Sequence, residues 1–125
     1  MMESILREGL TALSLPTEGI PALMRYADLL AKKNKVMNLT AIKDPAEVAR
    51  LHFLDSAALL ALKDFRGMSV VDVGTGAGFP GLPLKILEPS LHLTLLDAQR
   101  KRVDFLREVC WELGLEDVDC VHGRA

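Results

Sequence analysis

A short β-branched run, Ser69-Val70-Val71-Asp72-Val73, meets glycine at three alternate positions, Gly74, Gly76 and Gly78, and this juncture constrains the chain more than anything else in it. Such a run predicts a strand, and the glycines predict an abrupt turn into a helix over about Gly81 to Leu87. Without Cβ atoms the turn approaches a ligand closely, and the helix that follows presents unpaired N–H groups. Downstream, the spacing predicts a strand over His92 to Leu96, a helix over Arg100 to Leu113 and a strand over Val118 to His122. That helix buries Val103, Leu106, Val109 and Leu113, and Gly114 is placed to end it. Strand-helix alternation of this kind requires a parallel sheet, whose ligands bind at the carboxyl ends of the strands.

The first 66 residues read differently. Ile5, Leu6, Leu10 and Leu13 form one helical stripe, and Leu23, Tyr26, Ala27 and Leu30 form another on a helix from Ile20 or Pro21 to Lys35. Asp44 is an N-cap with Pro45 in the first helical position and Glu47 placed for a capping box, opening a helix to about Leu62. We therefore divide the chain into an N-terminal helical region, residues 1–66, and the first part of a ligand-binding α/β domain, residues 67–125. Lys32, Lys33 and Lys35 crowd one helix end; a solvated, dipole-complementing face and phosphate contact both fit them.

A length of 125 residues, half of them hydrophobic, supports one core. A net charge of −2 makes the whole chain no magnet for nucleic acid. No apolar run is long enough to span a bilayer, so no membrane association is expected and a cytoplasmic location is. Cys110 and Cys120 lack metal-ligand spacing and read as free thiols, and no metal site is expected. Phe105, Trp111 and the methionines are assigned to core or surface packing.

The ligand is narrowed by charge. Gly76 to Gly81 satisfies the G-x-G-x-x-G spacing of dinucleotide-binding proteins. The full run from Asp72, however, is D-x-G-x-G-x-G, and an acid beside a pyrophosphate would repel it. S-adenosylmethionine has no phosphate and carries a sulfonium and an ammonium, so Asp72 favours it, although a loop-bracing role for Asp72 is compatible with the same reading. Asp97, ending Leu93-Thr94-Leu95-Leu96-Asp97, stands where an acid accepts bonds from ribose hydroxyls in either cofactor class, the alternatives being an exposed strand-end acid or the N-cap of the next helix. A dinucleotide-dependent oxidoreductase fragment and a non-enzymatic assembly module are the alternatives.

On Asn34 with Asn38-Leu39-Thr40, Asp44-Pro45, His52 with Leu54-Asp55-Ser56, Asp72 to Gly81, Leu95-Leu96-Asp97, and Lys101-Arg102 with Phe105-Leu106, the chain resembles the RsmG family, also called glucose-inhibited division protein B. The resemblance implies a Rossmann-like class I S-adenosylmethionine-dependent methyltransferase fold, here its first three parallel strands behind an N-terminal helical extension. It implies methylation of guanosine N7 in 16S ribosomal RNA of the small ribosomal subunit. Implied cofactor contacts are Gly74, Gly76, Phe79 and Asp97, with Arg124 and Ala125 near the adenine; the residue reading adds Gly78 and Asp72 to the cofactor-binding candidates. Asn38 and His52 are candidates facing the cofactor or the RNA, and Lys33, Lys35, Arg50 and Arg124 are RNA-binding candidates. His52 and Asp55, three apart on a helix, equally suit structural pairing. Lys33 stands where many relatives carry tryptophan, and Leu51 replaces the usual basic residue before His52.

N7 carries an exposed lone pair, so no general base is expected, and alignment of the reacting atoms is most of the task. A complete sheet of this class has about seven strands. The chain is therefore expected to be C-terminally truncated and inactive alone, with Ser69 to Val73 exposing an apolar edge that invites a homodimer.

Overall fold

The computed structural model describes residues 1–124. In order, the elements are α1 (Met2–Ala12), α2 (Ile20–Met37), α3 (Pro45–Glu47), a π-helical segment (Val48–Leu54), α4 (Asp55–Leu62), β1 (Ser69–Val73), α5 (Gly81–Leu87), β2 (His92–Asp97), α6 (Arg100–Leu113) and β3 (Val118–His122). The expected architecture is present: a helical N-terminal region leads into a β-α-β-α-β unit, the first three parallel strands of a Rossmann-like sheet.

The helices end where their sequences say they should, with one extension. α2 runs two residues past Lys35 to Met37, because Asn38 adopts a left-handed conformation and returns its N–H to the Asn34 carbonyl. At the start of α3 the Asp44 carboxylate accepts the Glu47 N–H at 3.2 Å. The reciprocal half of a capping box, a bond from the Glu47 side chain, is not made among the described residues. The helix expected from Pro45 to Leu62 is continuous, but its middle widens into a π turn that 3.6-residue periodicity does not reveal. Gly114, left-handed, closes α6.

In the sheet, ordered β1-β2-β3, Val71 pairs across Thr94 to Asp119, and Val73 across Leu96 to Val121. α5 and α6 pack on the face carrying Leu93 and Leu95, both fully buried. The opposite face is open: Val71 and Val73 are 61% and 55% exposed. All seven residues of α5 are buried, including Lys85, whose ammonium donates to the carbonyls of Pro89 and Leu91. One hydrophobic cluster runs from Leu6, Leu10, Leu23 and Phe53 to Leu93, Phe105 and Leu106, so both regions bury a single shared interior.

Of the residues assigned to core or surface packing, Phe105 is in the core at 1% exposure and Trp111 is on the surface of α6 at 85%. Trp111 lies off the stripe of Val103, Leu106 and Val109. Cys110 and Cys120 are free thiols brought together on α6 and β3. Among the described residues, no helix is long and apolar enough to cross a membrane.

Candidate functional site

The turn between β1 and α5 is held from both sides by carboxylates. Asp72 leaves the end of β1 and accepts the Thr75 hydroxyl at 2.7 Å and the Gly81 N–H at 3.0 Å on one oxygen. It therefore ties the start of the turn to the first residue of α5. Asp97 at the end of β2, only 4% exposed, accepts the Gly76 N–H at 2.9 Å and the Gln99 N–H at 2.8 Å, while the Arg102 guanidinium lies 3.8 Å away. Gly74 also donates to the Leu96 carbonyl at 2.8 Å, which ties the turn to the neighbouring strand. Both acids thus converge on one glycine turn. Each retains carboxylate lone pairs that these bonds do not use.

The turn has an open side and a packed side. Gly74 and Gly76 have positive φ, and a Cβ on either would meet nothing within 4 Å, so their backbone faces free space at the carboxyl end of the sheet. Gly78 faces inward, where a Cβ would lie 2.5 Å from the Tyr26 hydroxyl and 2.7 Å from Leu82. The contact follows from α2: Tyr26, fully buried, donates its hydroxyl to the Ala77 carbonyl. The open side offers space against the glycine backbone, with the Asp97 carboxylate bonded to the Gly76 N–H beside it. Burial pushes the Asp72 carboxyl above its usual range, opposed by the Thr75 and Gly81 bonds.

Phe79 links this turn to the helical region. Its ring lies parallel to His52, with centroids 4.1 Å apart and planes 5° from each other, and it also contacts Tyr26 and Phe53. The Phe79–Pro80 peptide is cis. The π segment delivers His52 to that position, and His52 Nε2 shares a 3.0 Å hydrogen bond with the Thr40 hydroxyl. Thr40 Oγ1 already accepts from Ile42 N–H, and Thr40 N–H is held by Asn34 Oδ1 at 2.9 Å. Burial pulls the His52 imidazole below its usual range, only partly offset by Asp55, and a neutral ring suits a hydroxyl partner.

The structure thus brings together Asp72, Gly74, Gly76, Gly78, Phe79, Asp97 and His52 among the sequence candidates. Asn38 stands apart, exposed, with its backbone capping α2. Lys33 reaches Glu108 of α6 at 3.8 Å, an intramolecular partner that the sequence did not suggest. Lys35, Arg50 and Arg124 are exposed, and Ala125 lies outside the described residues. Among the described residues, no group of three or more His, Cys, Asp or Glu side chains gathers as metal ligands would. Sequence reasoning missed Tyr26 and Thr75, which hold the turn. Thr75 was signalled by its place between two glycines, whereas Tyr26 was read only as core.

Residues 19–125 match the family model described as rRNA small subunit methyltransferase G. The chain is 50% identical over 129 residues to a protein of Alkaliphilus metalliredigens named ribosomal RNA small subunit methyltransferase G, covering 99% of this chain and 54% of that one. Proteins of the same name from Alkaliphilus oremlandii and Acetivibrio thermocellus are 49% and 42% identical, again over 99% of this chain and 53% and 52% of theirs. The chain spans about half the length of these curated relatives.

Proposed function

We propose, since the chain belongs to the rRNA small subunit methyltransferase G family, that its glycine turn holds S-adenosylmethionine for transfer of a methyl group to N7 of a guanosine in 16S ribosomal RNA. The observation that carries this reading is the convergence of Asp72 and Asp97 on one turn whose Gly74 and Gly76 face open space. In it, Asp97 receives the ribose hydroxyls, the backbone of Gly74 and Gly76 lies along the donor, and Asp72 supplies negative potential beside the cationic groups. When bound, the donor supplies an electrophilic methyl group.

The chain's own task is positional. N7 has a free lone pair, so no side chain removes a proton, and holding the reacting atoms in line contributes about 7–11 kcal/mol in favourable cases. His52 and Phe79 form a stacked wall beside the turn that limits how the ligand lies. Arg50, Arg124 and Lys35 offer cations to the RNA backbone, and the cytoplasm, where small ribosomal subunits are found, is the place of action. With β1 at an open edge, the 125-residue chain binds the donor without turnover and pairs with a second copy through that edge.

Titration calorimetry with S-adenosylmethionine, S-adenosylhomocysteine and NADH tests the reading. The two adenosyl ligands should bind, and Asp97→Ala should weaken them about tenfold or more, a loss of about 1.4 kcal/mol or greater. Binding of NADH alone would overturn it.

A further inference from the structure

A cavity of about 360 Å³ opens in the helical region between α2, the connection after it and the start of the π segment. Its walls are mainly apolar, with Met24 and Ala27 of α2 opposite Ile42 and Val48. Asn34 lies on its lining, 6% exposed; its Oδ1 is taken by Thr40 N–H, while its amide nitrogen donates to none of the described residues. Lys35, Lys43 and Asp28 also line the cavity and are exposed, which puts two cations against one carboxylate at its mouth.

We infer that this cavity is a nucleotide subsite, which takes one unstacked nucleotide of the RNA substrate with its base between the apolar walls and its phosphate at Lys35 and Lys43. The inference rests on the RNA-methyltransferase reading above. Three features select a nucleotide over a plain apolar ligand. The volume lies within the range of small-molecule sites. Asn34 adds a polar amide to the lining, whose nitrogen is not sealed from solvent and can donate to a base edge, a partner an alkyl chain lacks. The cations at the mouth match a phosphate, with Lys32 nearby on the same helix turn.

Position gives the subsite a purpose. Thr40 is both a wall of the cavity and the partner of His52, whose ring stacks on Phe79 at the glycine turn. A base that fills the cavity therefore presses on the same hydrogen bond that positions the turn. RNA engagement and donor binding share one strut.

The test is a titration of the isotopically labelled chain, followed by NMR, with guanosine monophosphate, a single-stranded RNA hexamer and decanoate. Guanosine monophosphate should shift the Ala27, Asn34 side-chain and Thr40 signals saturably in the millimolar range, and the hexamer should shift the same signals at lower concentration. Ala27→Phe should abolish these shifts by filling the cavity, and Ala31→Leu, a substitution a helix tolerates, should weaken them. Combined Lys35→Glu and Lys43→Glu should weaken nucleotide binding about tenfold or more. S-adenosylhomocysteine affinity should stay within about twofold in the double lysine variant, whose side chains lie at the mouth and away from Thr40. Nucleotide shifts that survive both cavity-filling variants, absence of any saturable nucleotide shift, or stronger binding of decanoate than of guanosine monophosphate would each overturn the subsite. Failure of S-adenosylhomocysteine to bind, with the nucleotide shifts intact, would instead count against the donor assignment.

Discussion

Two glycines of the same turn do different jobs, and substitution separates them. Gly78 has φ of 107° with Tyr26 and Leu82 already against it, so Gly78→Ala should cost about 3 kcal/mol in urea titrations. Gly74 has φ of 68° over open space, so Gly74→Ala should cost only about 1 kcal/mol while weakening donor binding by obstructing the ligand. Equal costs at the two positions would contradict the packed-side, open-side description. His52 makes a pH-dependent contribution. Its folded value lies below the ordinary 6.5, so the unfolded chain binds more protons between the two values. Stability therefore rises with pH through that window, is complete above about 6.5, and falls on acidification. His52→Phe keeps a ring on Phe79 and should flatten the melting temperature between pH 5 and 7. At this scale, alternation after a β-branched run disclosed Asp72, the glycines and Asp97. Tyr26 was hidden because its spacing with Leu23 and Leu30 is that of any core residue, while its partner Ala77 stands 51 positions away.

Among elements, α2 is the one that braces the turn. Tyr26→Phe leaves the Ala77 carbonyl without its buried donor, and the expected loss is about 1–3 kcal/mol in chemical denaturation, together with weaker S-adenosylhomocysteine binding. A variant that loses stability but binds the ligand unchanged would show that the bond holds α2 rather than the turn. The start at Asp44 and Pro45 and the stop at Gly114 were legible because these residues act locally, whereas the stop at Asn38, two residues past Lys35, was not. The π segment was not. Its residues obey no separate propensity, and what accompanies the widening is tertiary: Phe53 is buried against Tyr26 while His52, its neighbour, lies flat on Phe79. For the same reason His52 and Asp55 could not be placed by counting along an ordinary helix. Lys33 illustrates a second limit, since a basic helix end reads alike whether it meets solvent, phosphate or, as here, Glu108.

For the whole molecule, the alternation of strands and helices was enough to give a parallel sheet, but not which face would stay bare. Val71, Val73 and Val121 are 61%, 55% and 42% exposed on the side away from α5 and α6, and the outer edge of β1 pairs with no strand among the described residues. Self-association should therefore appear in sedimentation velocity as concentration rises, and Val71→Lys should suppress it. Persistence of the same association in that variant would place the contact elsewhere. The shared interior has one more consequence. The connection between α4 and β1 is exposed at Lys63, Asp64, Arg66 and Gly67, yet the pieces on either side interleave Leu10, Leu23 and Phe53 with Leu93, Phe105 and Leu106. A protease site engineered into that connection should yield, after nicking, two fragments that elute as one particle under native conditions and separate only in denaturant.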